Sequence, residues 1–269
     1  GQRQQLLAEL QSQDIDTQLT ALSDFGLRRM TRGPLQNTPA FKQGWFEFQD
    51  EGSQLVSWLL QPQAGEFIVD YCAGAGGKTL HIADIMDNRG SILACDVAPR
   101  RLAQLQPRLQ RAGIRNVTSR VLDPEVDDDL GDYAQTADAV LVDAPCTGSG
   151  TLRRSPDIRW REVRLEELCQ LQLQILSNAS QLVKAGGRLV YATCSLLAEE
   201  NQQVVEAFLL ANPGFAREGA TFPDSDPTFT ALQRQDGALA ERLQQAGELQ
   251  LWPHRHNTDG FYAQVLRRH

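Results

Sequence analysis

From residue 66 onward the chain alternates short apolar runs with longer amphipathic stretches, and no other feature restricts its fold so strongly. The runs FIVDY (67–71), SILAC (91–95), AVLVD (139–143) and RLVYAT (188–193) read as strands buried on both faces of a parallel sheet. A weaker strand is expected at VTSRVL (117–122) and a closing one at FYAQVLR (261–267). Helical periodicity fills about 78–87, 99–112, 164–183 and 198–211 between them. Strands separated by helices imply a doubly wound α/β sheet. Ligands of such sheets bind beyond the carboxyl ends of the strands, so the residues that follow each run are the first candidates for chemistry.

Residues 1–60 read differently, with a helix near 3–11, a turn-rich stretch and a second helix at 50–60. The stretch 213–257, which contains NPGFAREGATFPDSDPTF, is expected to be a surface loop. No apolar run approaches the ~20 residues of a membrane span, and GQRQQLLAEL has no signal-peptide character. Five cysteines, an odd number without a CxxC pair, suggest neither a zinc site nor a disulfide framework, and point to a reduced, cytoplasmic setting. HRH at 254–256 resembles a metal pair, but without further ligands it reads as a pair of loop histidines, and no metal is expected. The net charge of −8 excludes a uniformly basic nucleic-acid surface and leaves room for a local basic groove.

The first apolar run leads into VDYCAGAGGKT, which opens a helix. Gly74, Gly76 and Gly77 let the backbone approach a ligand, and the helix N-terminus offers amide donors. Asp96 ends the second run 20 residues after Gly76, where an acid bonds ribose hydroxyls, and Asp123 follows the third run beside the place of a base. Helix capping is the other role open to both acids. Gly77-Lys78-Thr79 fit the end of a phosphate-binding P-loop, but Cys72 stands where its first glycine is required. The loop therefore points to a nucleoside cofactor without a triphosphate, such as S-adenosylmethionine or a dinucleotide.

Two cysteines sit where strands meet solvent. Cys146 follows Asp143 in AVLVDAPCTGSG, and Cys194 ends GRLVYATCS. Cys95 and Cys169 lie within apolar or helical patterns and read as small core residues, while Cys72 belongs to the glycine loop. A thiolate can add to an electron-poor ring. Carbon 6 of a pyrimidine is such a site, and addition there makes carbon 5 able to accept a methyl group. Asp143 could hold the polar edge of the ring. A second thiol could help remove the carbon 5 proton and release the adduct.

The segments DYCAGAGGKT, ACD, VDAPCTGSGTLRRSPDIRW and YATCSLLAEEN resemble the motif series of the Nol/Nop/Sun (Sun/Fmu) family of RNA cytosine-5 methyltransferases. FEFQDEGSQ and TDGFYAQVLRR extend the resemblance over about 45–269, and TLRRSPDIRW is most similar to the bacterial small-subunit ribosomal RNA branch. The resemblance implies a Rossmann-like methyltransferase fold with a mostly parallel seven-stranded sheet. It makes 46–269 the catalytic domain and 1–45 part of an N-terminal accessory, RNA-binding segment. Gly1 in place of a methionine fits a chain that lacks part of that segment. By the same resemblance Cys194 is the nucleophile and Cys146 helps to release the product. Cys72, Ala73, Gly74, Ala75, Gly76, Gly77 and Lys78 surround S-adenosylmethionine, with Asp96, Arg101 and Asp123 as further contacts. Asp143 lies between cofactor and target base, and Lys78 reaches toward the cytosine. Ala75 stands where the family often has proline.

Arg153, Arg154, Arg159, Trp160, Arg161 and Arg164 cluster just past Cys146, and Arg28, Arg29 and Arg32 form a second basic set. Arginines pair with phosphates and stack on bases, so both sets are candidates for RNA contact, although a solvated face is the commoner fate of charge runs. The expected partner is RNA, ribosomal before transfer RNA, with its target cytosine unpaired or flipped out. Two readings compete with this one. A Rossmann oxidoreductase would share the glycine loop and Asp96 but has no use for two strand-end thiols. A non-catalytic RNA-binding scaffold has no chemical need of either.

Overall fold

The computed structural model describes residues 2–123 and 130–269. Ten strands are present among them: β1 (Thr17–Leu19), β2 (Leu27–Arg29), β3 (Phe67–Asp70), β4 (Ser91–Asp96), β5 (Val117–Val121), β6 (Ala137–Asp143), β7 (Val183–Thr193), β8 (Phe215–Arg217), β9 (Glu248–Leu251) and β10 (Phe261–Arg268). The main sheet has the order β5-β4-β3-β6-β7-β10-β8, with β9 also paired to β10. β3 through β7 pair with one another in parallel, and β10 is antiparallel to β7, β8 and β9. The expected α/β sheet is therefore present. Its seven positions hold eight strands, because β9 faces the start of β10 and β8 faces its end.

The chain enters the main sheet at β3, moves outward to β5, and returns to β6 on the other side of β3. That reversal opens a crevice at the carboxyl ends of β3 and β6, the usual ligand position in such a sheet. Both faces are covered. Leu55, Val56 and Leu59 of helix Glu51–Leu59 pack with Ile82 and Met86 on one side. Leu176 and Ala179 of helix Leu165–Ser180 pack with Val205 and Phe208 of helix Gln202–Ala211 on the other. Each of the larger of these side chains, fully withdrawn from water, contributes about 1.5–3 kcal/mol. The edges of the crevice are held by this two-sided core.

Three expectations change. The helix at 99–112 divides into Pro99–Leu102 and Leu105–Ala112, and Pro107 occupies the first turn of the second piece, where a missing N–H is tolerated. The strand at 188–193 starts earlier, at Val183, and its extra length passes through Gly186 at a φ of 70° and a register shift against β6. The expected loop 213–257 contains β8, β9, two longer helices, Pro227–Gln235 and Gly237–Ala246, and the short helix Pro253–His256. Both longer helices start at aspartates whose side chains accept a backbone N–H three residues on: Asp226 from Phe229 at 2.8 Å and Asp236 from Leu239 at 3.1 Å. Phe229, Leu232, Leu239 and Leu243 then bury the shared face. Among the described residues, no helix is long and apolar enough to cross a membrane.

The N-terminal helix Gln2–Ser12 and the β1–β2 pair rest on a small cluster of Leu6, Leu10, Leu35 and Ala40. Glu51, at the start of its helix, accepts the backbone N–H of Leu22 at 2.5 Å and of Ser23 at 3.0 Å, which ties this segment to the sheet layer.

Candidate active site

The glycine loop starts where β3 ends. Asp70 is fully buried, and the Thr79 hydroxyl donates to it at 2.6 Å. Burial pushes its carboxyl up to about 7, against the opposing pull of Thr79 and Lys78. Gly76 caps helix Gly77–Ile85 at a φ of 84°, and a Cβ there would run into Leu105. Gly74 has a φ of 57°, and its missing side chain faces the Arg101 guanidinium. Both positions need glycine, since an L side chain rarely adopts this conformation. Above Gly77 there is open space, so the helix N-terminus can receive a ligand.

Asp96, at the end of β4, accepts the Gly74 N–H at 2.7 Å and the Ala98 N–H at 2.8 Å. Each carboxylate oxygen has a second lone pair, so these bonds pin the loop while leaving acceptors for ribose hydroxyls. The Arg108 guanidinium holds the Ala75 carbonyl at 2.5 Å from below. Cys72 and Ala73 complete the turn, and burial raises the Cys72 thiol well above its ordinary value. Asp123 is exposed just past β5, and Arg101 is exposed beside Gly74. An open helix N-terminus, a glycine cradle and a strand-end acid together fit a nucleoside cofactor.

On the other side of the crevice β6 and β7 deliver the cysteines. Lys78, second residue of its helix, donates to Asp143 at 2.6 Å and lies 5.3 Å from the centre of the Phe261 ring. Burial works against its ammonium, but Asp143 outweighs this and lifts Lys78 above its ordinary value. The Cys146 and Cys194 sulfurs are 3.3 Å apart. Their mutual hydrogen bond raises Cys146, with burial adding to the effect, and lowers Cys194. Burial and Asp143 oppose the lowering of Cys194, and Lys78 supports it. The pair is thus unequal: the shared hydrogen bond, for which either sulfur can be the donor, holds Cys146 above and Cys194 below the ordinary thiol value. The remaining cysteines differ. Cys95 is fully buried in β4, and Cys169 faces an outer helix groove, where burial and Glu200 raise its thiol.

The backbone closes this corner tightly. Gly150 donates to the Cys194 carbonyl at 2.9 Å, and Gly260 donates to the Gly150 carbonyl at 2.8 Å. A side chain at Gly150 would strike the Gly260 carbonyl.

The basic residues divide into two kinds. Arg154 donates to the fully buried Asp259 at 2.5 Å, and Arg153 donates to the Asn257 carbonyl at 3.1 Å and to Asp50 at 3.5 Å. Both brace the loop between Cys146 and β10 while remaining exposed at their outer sides. Asp50 is raised by burial and by Asp259. Arg159 and Trp160 stand outward, the guanidinium 4.9 Å from the ring centre and Trp160 77% exposed. Arg161 is exposed beside them. Arg164 pairs with Glu167 at 2.9 Å. Arg28 donates to Glu51 at 3.1 Å, Arg29 donates to the Gly33 carbonyl, and Arg32 is exposed. The histidines at 254 and 256 belong to a short helix, Pro253–His256, instead of a loop, and His256 is buried against Asp236 at 3.2 Å. Among the described residues no cluster of three or more ligating side chains could hold a metal.

Sequence reasoning missed Glu200. This fully buried residue accepts from both cysteine loops, and the repeated acids of LLAEEN carried the only signal.

Comparison with known proteins places this geometry. The family described as 16S rRNA methyltransferase RsmB/F matches residues 57–267. A probable ribosomal RNA small subunit methyltransferase B from Bacillus subtilis is 31% identical over 99% of this chain and 57% of its own length. The ribosomal RNA small subunit methyltransferase B of an Enterobacter species is 39% identical over 78% of this chain and 49% of its own length. The chain therefore spans about half the length of the curated relatives it matches. NSun6 from Pyrococcus horikoshii, solved with the S-adenosylmethionine analogue SFG, superposes with a TM-score of 0.71 at 29% identity, over 88% of this chain and 56% of that one. A methyltransferase homologue from the same organism gives 0.78 at 28% identity, over 99% of this chain and 82% of that one. With the family pattern running from before β3 to the end of β10, the chain belongs to the 16S rRNA methyltransferase RsmB/F family.

Proposed function

We propose that this chain is the catalytic core of an S-adenosylmethionine-dependent RNA methyltransferase that methylates carbon 5 of a cytosine in 16S ribosomal RNA. One observation carries the reading: two thiols at the carboxyl edge with their sulfurs 3.3 Å apart, within hydrogen-bonding distance of each other. Family membership supports the substrate class, and the glycine cradle fits the cofactor.

Cys72 through Lys78, with Asp96 and Arg101, hold the cofactor, and Asp123 borders the position of its adenine. Bound there, S-adenosylmethionine supplies an electrophilic methyl group. Cys194 loses its proton to solvent and bonds as thiolate to carbon 6 of the flipped cytosine, and the ring's displaced electron pair is met at its polar edge by the Lys78–Asp143 pair. Carbon 5 is then the nucleophile for the methyl group. With Cys194 bonded to carbon, Cys146 no longer donates to a thiolate, and the main cause of its raised value is gone. It can lose its proton to solvent and take the proton from carbon 5. The ring double bond re-forms as the bond from carbon 6 to Cys194 breaks. Arg159, Trp160 and Arg161 are the outward groups for RNA, and Arg153 and Arg154 shape the loop that presents them. Residues 1–45, with Arg29 and Arg32, are proposed as an accessory surface for the same RNA.

The test is incubation of wild type, Cys146→Ala and Cys194→Ala with labelled S-adenosylmethionine and unmodified small-subunit RNA, followed by a denaturing gel. Cys146→Ala is expected to accumulate an RNA-linked band, and Cys194→Ala to give neither band nor label. Label in transfer RNA alone would move the substrate, and a band from Cys194→Ala would reverse the two thiols.

A further inference from the structure

Two strands bring the thiols to one edge, but each cysteine lies just beyond its strand, so the ladder, which ends at Ala144 and Ala192, does not by itself reach the sulfurs. Behind them, a buried carboxylate touches both cysteine loops. Glu200 ends a 3₁₀ turn, Ala198–Glu200, and is fully buried. One of its oxygens accepts the Thr147 N–H at 2.8 Å and the Gln172 side-chain amide at 2.9 Å. The other accepts the Thr147 hydroxyl at 2.6 Å and the Ser195 hydroxyl. Thr147 directly follows Cys146, and Ser195 directly follows Cys194. Gln172 also donates to the Pro145 carbonyl at 2.9 Å, so the residues on both sides of Cys146 are held by one network. The Tyr191 hydroxyl donates to the Glu200 carbonyl at 2.7 Å and fixes the turn to β7.

We propose that Glu200 is a positioning residue that staples the two cysteine loops and holds Cys146 within hydrogen-bonding distance of Cys194. A carboxylate suits the task because four donors from three elements converge on two oxygens, each able to accept twice. Loss of the side chain leaves those donors without their acceptor at a buried site, and the loops separate. The Cys146 hydrogen bond that makes Cys194 acidic is then lost. This inference deepens the proposed reaction and rests on it for its catalytic consequence, but the spacing of the thiols can be read without RNA.

The test uses the full chain with Glu200→Ala and Glu200→Gln. Diamide is added, and closure of Cys146 to Cys194 is followed by peptide mass mapping: both thiols lose a proton and an electron, and diamide is reduced to its hydrazine. The pH profile of Cys194 alkylation is recorded alongside. Glu200→Ala is expected to slow closure roughly tenfold or more and to move the alkylation profile upward, as a displaced reacting group costs up to about 100-fold. Glu200→Gln is expected to stay near wild type, because its oxygen still serves the two N–H donors and the hydroxyls can turn to accept from its amide. A purely structural role would lower the melting temperature of Glu200→Ala and leave closure and the alkylation profile unchanged in the folded protein, which would overturn the proposal. Should Glu200→Ala not fold, Thr147→Val with Ser195→Ala removes two of the donors. Slower closure supports the staple, and wild-type closure overturns it. The reaction is checked separately by the RNA adduct of Cys146→Ala with Glu200 intact. Its absence, with the closure result standing, would reject the reaction and leave the staple.

Discussion

The two sides of the crevice are organised by different means. Around β3 and β4 the ligand surface is mostly backbone: glycines at positive φ, a helix N-terminus, and Asp96 bound to two amides. Around β6 and β7 it is side chains: two sulfurs, the Asp143 carboxylate that takes Lys78 from the loop side, and a buried glutamate. Backbone geometry suits a ligand that must be held the same way each time. Side chains that share protons suit a centre that must change state during a reaction. The first side is sensitive to added bulk, and the second to the removal of single atoms.

A Gly76→Val substitution tests that difference most severely. It forces a β-branched residue into a φ of 84° against Leu105, at a cost of about 3–5 kcal/mol in strain and overpacking. Calorimetric titration should show S-adenosylmethionine binding lost, whereas a Cys146→Ala protein should bind it as wild type does. Equal losses in both would mean that the two sides are not separate.

Asp70, at the junction, gives a smaller effect. A carboxyl raised to about 7 in the folded protein favours folding most below its ordinary 3.8 and loses that advantage as the pH climbs through 7. Asp70→Asn can still accept from Thr79 and carries no charge to bury. It should stabilise the protein by about 2 kcal/mol at pH 8, with the gain vanishing near pH 4. Chemical denaturation across that range checks the sign, and a variant less stable at pH 8 would refute it.

The smallest effect lies within the thiol pair. Cys146→Ala removes the largest cause of the lowered Cys194 value, so iodoacetamide should modify Cys194 roughly tenfold more slowly at pH 7, with the midpoint of its profile moved upward. An unchanged midpoint would assign the acidity to Lys78 instead.

Much of this was legible in the sequence, for identifiable reasons. Unbroken apolar runs announced β3, β4, β6 and the carboxyl end of β7, and the candidate site lies in the residues just past them. Helices Pro227–Gln235 and Gly237–Ala246 were hidden because turn-forming residues dominate the stretch before them. Their signal lay in two capping aspartates followed by spaced leucines. Arg153 and Arg154 looked like free charges until the fold brought in Asp50 and Asp259 from far along the chain. Glu200 was invisible for the same reason, since Thr147 and Gln172, two of its partners, are 53 and 28 residues away.

The placement of β10 has a consequence for how the molecule is made. Residues 261–268 insert between β7 and the β8–β9 edge, and Gly260 just before them clamps the backbone at Gly150 and, through it, Cys194. A nascent chain that has released everything up to β9 still lacks the strand that completes its sheet. Its thiol corner is unlatched, and the apolar edge of β7 is open to wrong pairing. The thiol corner is therefore latched only when β10 docks, across long sequence separations. Folding of this chain should be slow relative to its size and sensitive to any change in those eight residues.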